Sequence, residues 1–245
     1  MPHLKPIVEV CVDSINSALI AQSQGAYRVE FCDNLSEGGT TPSFGMLEIA
    51  RQKLTLKLYV LIRPRGGDFL YDDLEFEVMT SDIHYCGKIG CDGVVIGMLN
   101  ADGTIDTVRC AELIRIAKSY NMGVTFHRAF DRCKDMQASL ETIIDLGCER
   151  VLTSGGQLTA FDGIPALRKL IEQAAGRITI MPGAGVTPEN AAEILNETGA
   201  TEIHGTLRTR QYSAMTYKHP VLNNPEQELG LWVADAEKIK QIIAL

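Results

Sequence analysis

Residues 7–12 read Ile7-Val8-Glu9-Val10-Cys11-Val12, and residues 28–33 read Arg28-Val29-Glu30-Phe31-Cys32-Asp33. Successive side chains of a strand point to opposite faces. Glu9 and Cys11 therefore share one face, with Val8, Val10 and Val12 on the other. Glu30 and Cys32 repeat the arrangement around Phe31. The valines suit a helix-covered side, which turns the carboxylates and thiols inward. Strands covered on both faces belong to parallel sheets wrapped by helices.

Outward from these two segments, short apolar runs recur at Lys57–Arg63, Gly93–Gly97, Gly123–His127, Arg150–Ser154, Ile178–Pro182 and Glu202–Leu207, which makes eight candidate strands. Helical periodicity fills the gaps. Cys110, Leu113, Ile114 and Ala117 fall at spacings 0, 3, 4 and 7, as do Leu167, Leu170, Ile171 and Ala174. Phe76, Met79, Ile83 and Cys86 make another stripe. Thr187-Pro188-Glu189 has the form of a helix N-terminus. Gly25, Gly90, Gly147 and Gly199 each open a Gly-small-x-x-apolar echo before candidate strands two, four, six and eight, where a helix should end in a left-handed cap. The pattern predicts an α/β fold, a (βα)8 TIM barrel forming a single domain over residues 1–245. An irregular stretch at about 209–230 follows strand eight; it includes Tyr217-Lys218-His219-Pro220 and Asn223-Asn224-Pro225, and its length suggests a lid or an interface. A last helix is expected over Ala234–Ile243.

The net charge of −8 and the lack of a basic stripe argue against a nucleic-acid partner. No apolar run approaches the roughly 18–20 residues that span a membrane, and no signal-peptide pattern opens the chain, so a cytoplasmic location is expected. Seven scattered cysteines without a C-x-x-C read as free thiols rather than a disulfide framework.

Barrel sites form at the carboxyl ends of the strands. There the sequence places Glu9, Cys11, Glu30, Cys32, Arg63 and Arg65, then His127, Arg128 and Asp131, Ser154 and Gly155, Gly183 and Gly185, and His204 and Arg208. Inward carboxylates need partners, for which Arg63, Arg65, Arg128, His127 and His204 are available. One reading is an enzyme site for a small anionic substrate. Glu30 or His127 would serve as general base, with Glu9 and Asp131 as further acid/base candidates. Arg63, Arg65, Arg128, His204 and Arg208 would clamp the anion, with Ser154 and the backbone at Gly155, Gly183 and Gly185 beside them. The other reading rests on Cys11 and Cys32, the two cysteines near strand ends. Paired thiolates are soft ligands suited to Cu(I).

Several blocks resemble the copper homeostasis protein CutC family: Glu9-Val10-Cys11-Val12-Asp13-Ser14, residues 35–43, residues 62–71, Val124-Thr125-Phe126-His127-Arg128-Ala129-Phe130-Asp131, and Val151-Leu152-Thr153-Ser154-Gly155. The resemblance implies a (βα)8 barrel, a cytoplasmic, self-associating protein, most simply a homo-oligomer of two chains, and a role in copper homeostasis. The family's proposed copper ligands, two cysteines on the first two strands, match Cys11 and Cys32.

Overall fold

The computed structural model describes residues 5–221 and 230–245. Eight parallel strands form a nearly closed barrel: β1 (Ile7–Val12), β2 (Arg28–Phe31), β3 (Lys57–Leu61), β4 (Gly93–Ile96), β5 (Gly123–Phe126), β6 (Arg150–Thr153), β7 (Thr179–Pro182) and β8 (Glu202–Gly205). They are hydrogen-bonded in the order β7-β6-β5-β4-β3-β2-β1-β8, and β7 lies beside β8 across the seam. Helices α1 (Ile15–Ser23), α2 (Phe44–Lys53), α3 (Asp73–Ile89), α4 (Thr107–Ser119), α5 (Met136–Leu146), α6 (Ile164–Ala174), α7 (Pro188–Thr198) and α8 (Ala236–Ile243) surround them. All eight expected strands are present. Most end one or two residues early, because the chain leaves the ladder to build the mouth. Arg63 and His127 consequently stand just beyond their strands.

Local chemistry sets the helix ends. Asp72 and Glu75 form a reciprocal capping box at the start of α3. Gly90, Gly147 and Gly199 end α3, α5 and α7 with positive φ, as the repeated glycine pattern predicts. The outer core lies between strands and helices. It contains Val8, Val10, Val12, Val29 and Phe31 from the strands, packed against stripes such as Cys110, Leu113, Ile114 and Ala117.

The segment after strand eight differs from a plain loop. Arg208–Gln211 (β9) and Leu231–Ala234 (β10) pair as an antiparallel hairpin. The last helix therefore starts later than expected, at Ala236, capped by Asp235. The Arg208 and Arg210 guanidinium groups lie 4.8 and 4.4 Å from the Trp232 ring. Tyr212, Met215 and Tyr217 are 79%, 74% and 68% exposed, so the chain itself does not bury them. Asn223-Asn224-Pro225 lies outside the described residues, as does the start of the chain through Leu4. Among the described residues, no helix is long and apolar enough to cross a membrane.

Inside the barrel the lowest layer is ionic. Arg28 donates to Glu9 and, at 2.6 Å, to Glu202. Arg150 donates to the same Glu202 oxygen at 2.6 Å. All four side chains are buried. Both guanidinium groups lie over the Tyr59 ring, at 5.1 and 5.6 Å from its centroid. Tyr59 fits because Gly93 and Gly123 stand beside it, where a Cβ would collide with its ring and hydroxyl. Removing one member of such a network leaves an uncompensated buried charge. Arg28→Leu should lower the unfolding free energy by about 3–5 kcal/mol, measured by urea denaturation. Arg115→Ala, which breaks an exposed pair with Glu112, should leave the unfolding midpoint where it is.

Candidate metal and ligand site

The site is built from the residues above the ionic layer. Cys11 sits on β1 opposite Glu30 of β2, by the ladder register. Cys32 follows β2, where its N–H donates to the Val12 carbonyl and its thiol contacts the same oxygen at 3.4 Å. The two sulfurs are 3.6 Å apart, both buried, among Tyr59, Leu61 and Val95. Glu9 also pairs in register with His204 of β8. The His204 Nδ1 lies 2.7 Å from a Glu9 oxygen, and its Nε2 lies 3.7 Å from Glu30. Cys11 Sγ, a Glu30 oxygen and a His204 ring nitrogen all fall within 4.8 Å of one another, a spacing that can hold a metal ion.

The electrostatics of these groups follow from burial set against neighbours. Burial pushes the Glu9 carboxyl up, but Arg28 and His204 outweigh it and bring it down to about 2. Burial disfavours a charged His204, yet its bonds to Cys11 and Glu9 and the charges of Glu30 and Glu9 hold it well above the usual histidine range. Burial raises Glu30 despite the nearby imidazole. The hydrogen bond with Cys32, burial, and the neighbouring Cys32 and Glu30 charges raise the Cys11 thiol. The bond from Cys11 works to lower Cys32, but burial and the charges of Glu30, Asp13 and Asp33 leave it raised.

A cavity of about 400 Å3 opens above this cluster. Cys11, Glu30, Arg63, His127, Arg128, Gly185 and His204 line it. Of the other residues singled out in the sequence, Glu9 lies one layer deeper, held by Arg28 and His204 rather than by the loop arginines. Asp131 ties the turn after β5 to the loop after β6. It accepts from Thr153 Oγ1 at 2.5 Å, the Ser154 and Gly156 N–H groups and the Arg128 Nε. The Gly155 N–H is taken by Thr153 and the Gly183 N–H by the Thr153 carbonyl. Arg65 turns outward to Glu75 and Asp68, and Arg208 stacks on Trp232. Arg28, Arg150 and Glu202 were not singled out in the sequence. Their signal was the same alternation that marked Glu9 and Cys11, since Arg28 stands two before Glu30 and Glu202 two before His204.

The model of the CutC family matches residues 6–209. The human copper homeostasis protein cutC homolog is 46% identical over 98% of this chain and 88% of its own length. A family protein CutC from Chromobacterium violaceum is 49% identical over 86% of this chain and 85% of its own. A solved CutC structure from Streptococcus agalactiae superposes with a TM-score of 0.78 at 36% identity, covering 82% of this chain and 98% of that one.

His127 supplies a pH marker for the cavity. Burial and the Arg63 charge lower its pKa from 6.5 to about 3. The unfolded chain takes up that proton near 6.5, so His127 erodes folded stability as pH falls from 6.5 toward 3 and has no effect above that range. Long-range 1H–15N spectra of the ligand-free protein should show His127 neutral at pH 5; a ring titrating near 6.5 would contradict the buried environment.

Proposed function

The chain belongs to the CutC family, and on that premise we propose that it binds Cu(I) at the barrel mouth through Cys11 and Cys32 and acts in cytoplasmic copper homeostasis as one barrel domain. The observation that carries this reading is the 3.6 Å separation of the two thiols. With metal–thiolate bonds of roughly 2.3 Å, two sulfurs sharing one ion stand about 4 Å apart, so the pair needs only a small adjustment. Thiolates are soft donors that favour Cu(I) over hard cations. His204 completes the donor set beside Cys11. Its Nδ1 is engaged by Glu9, an outer carboxylate that fixes the ring and leaves Nε2 toward the metal. Both thiols are held protonated by their surroundings and His204 is held charged, so binding displaces the thiol protons and the proton on the His204 Nε2, and solvent at the mouth takes them up.

Cys11→Ser and Cys32→Ser should each abolish tight, near-stoichiometric Cu(I) uptake, and the double variant should lose no more than either alone. Cys133→Ser, which removes a thiol away from the pair, should leave uptake intact. Anaerobic competition against a Cu(I) chelator reads all four. A double variant that still binds Cu(I) tightly overturns the assignment.

Self-association belongs to the same reading. Tyr212, Met215, Tyr217, Val221 and Leu231 are all exposed and lie near one another in the sequence, on either side of residues 222–229, and a contiguous exposed apolar patch marks an interaction surface. Light scattering at micromolar concentration should give a mass about twice the 26.8 kDa chain; a monomer mass would contradict it.

A further inference from the structure

Two residues that line the cavity, Arg63 and His127, carry buried donors without acceptors. The His127 Nδ1 accepts from the Ala129 N–H at 3.1 Å, which places the ring proton on Nε2. Among the described residues that Nε2–H has no partner, although His127 is only 4% exposed. Arg63 is likewise 4% exposed. Its Nη1 donates to the carbonyls of Glu37 and Gly39 and its Nη2 to that of Gly67, at 2.6–2.9 Å. These acceptors are neutral. Its Nε is unpartnered, and among the described residues no carboxylate pairs with it. The Tyr71 hydroxyl faces the same guanidinium without reaching hydrogen-bond geometry, and it carries no charge to balance it. Phe69 packs against both groups, 4.9 Å from the imidazole ring and 5.2 Å from the guanidinium carbon. Gly97 leaves room for the imidazole: a Cβ there would stand 2.5 Å from it.

A buried cation without a counter-ion and a buried N–H without an acceptor are both costly. Each is relieved by the same thing, an anionic oxygen. We propose that this wall is a binding subsite for the carboxylate of a small organic acid, held by the Arg63 guanidinium and the His127 Nε2–H, with the rest of the molecule reaching across the cavity toward Cys11, Glu30 and His204. One uncompensated positive charge matches a monoanion, whereas a phosphate dianion would bury an excess negative charge. A carboxylate oxygen is a strong acceptor for either donor, guanidinium or imidazole N–H. The cavity, about 400 Å3, is of metabolite size. This inference goes beyond copper binding and does not rest on it.

The test uses the full chain, reduced and metal-free, so that failure of the copper assignment leaves it untouched. Pyruvate is the probe and inorganic phosphate the comparison. Pyruvate should shift the His127 ring signals saturably in 1H–15N spectra, with matching heat by calorimetry. His127→Phe should weaken binding roughly tenfold, the loss of one hydrogen bond to a charged group. His127→Gln, which keeps an N–H donor, should recover most of that loss. No saturable shift in the wild-type protein overturns the subsite. Equal calorimetric affinity in wild type and His127→Phe also overturns it, as does phosphate binding more tightly than pyruvate.

Discussion

The interior of this barrel is organised around the pair of salt bridges that Arg28 makes to Glu9 and Glu202, extended by Arg150 on the far side of Glu202. Barrels of this class usually fill their centres with layers of branched apolar side chains. Here two carboxylates and two guanidinium groups alternate in sign, and each charge has an opposite neighbour. Desolvation of four ions is expensive, so the arrangement is stable only as a complete set. Its completeness has a local consequence: Glu9 has one oxygen for Arg28 and another for His204. The ionic layer thus fixes the imidazole above it, and through that the polar cluster at the mouth.

The mouth divides into two halves of opposite character. On the side of β1, β2 and β8, Cys11, Glu30 and His204 offer sulfur, oxygen and nitrogen donors to a cation, with the Cys32 sulfur 3.6 Å from that of Cys11. On the side of β3 and β5, Arg63 and His127 offer only N–H groups. A cation and an anion can therefore occupy one cavity without competing for the same atoms. Phe69 packs against both groups of the second half, and Arg128 at the mouth is held by Asp131 and Ser154.

Much of the glycine-loop backbone that looked like an anion cradle in sequence is bonded within the fold. Asp131 collects the N–H groups of Ser154 and Gly156, and Thr153 collects those of Gly155 and Gly183. In the strand-six loop a carboxylate of the protein itself accepts these bonds. Glycine-rich turns before helices advertise free donors, but nothing in a linear sequence reports whether a side chain from another strand has already satisfied them.

The sequence by itself determined the eight strands, the helical stripes and the inward direction of Glu9, Cys11, Glu30 and Cys32. These depend on local periodicity: side chains alternate along a strand whatever the rest of the chain does. It also carried the motif blocks that place the chain in its family. Tertiary structure alone decided the partners. Glu9 pairs with Arg28 and His204, residues 19 and 195 positions away, and not with the loop arginines. The hairpin of β9 and β10 joins segments on either side of residues 222–229, so no short window reveals it. The free donors of Arg63 and His127 are defined by what the fold failed to place beside them. Pairing and its absence are properties of three-dimensional neighbourhoods, set by strand register and barrel closure, which composition and spacing do not encode.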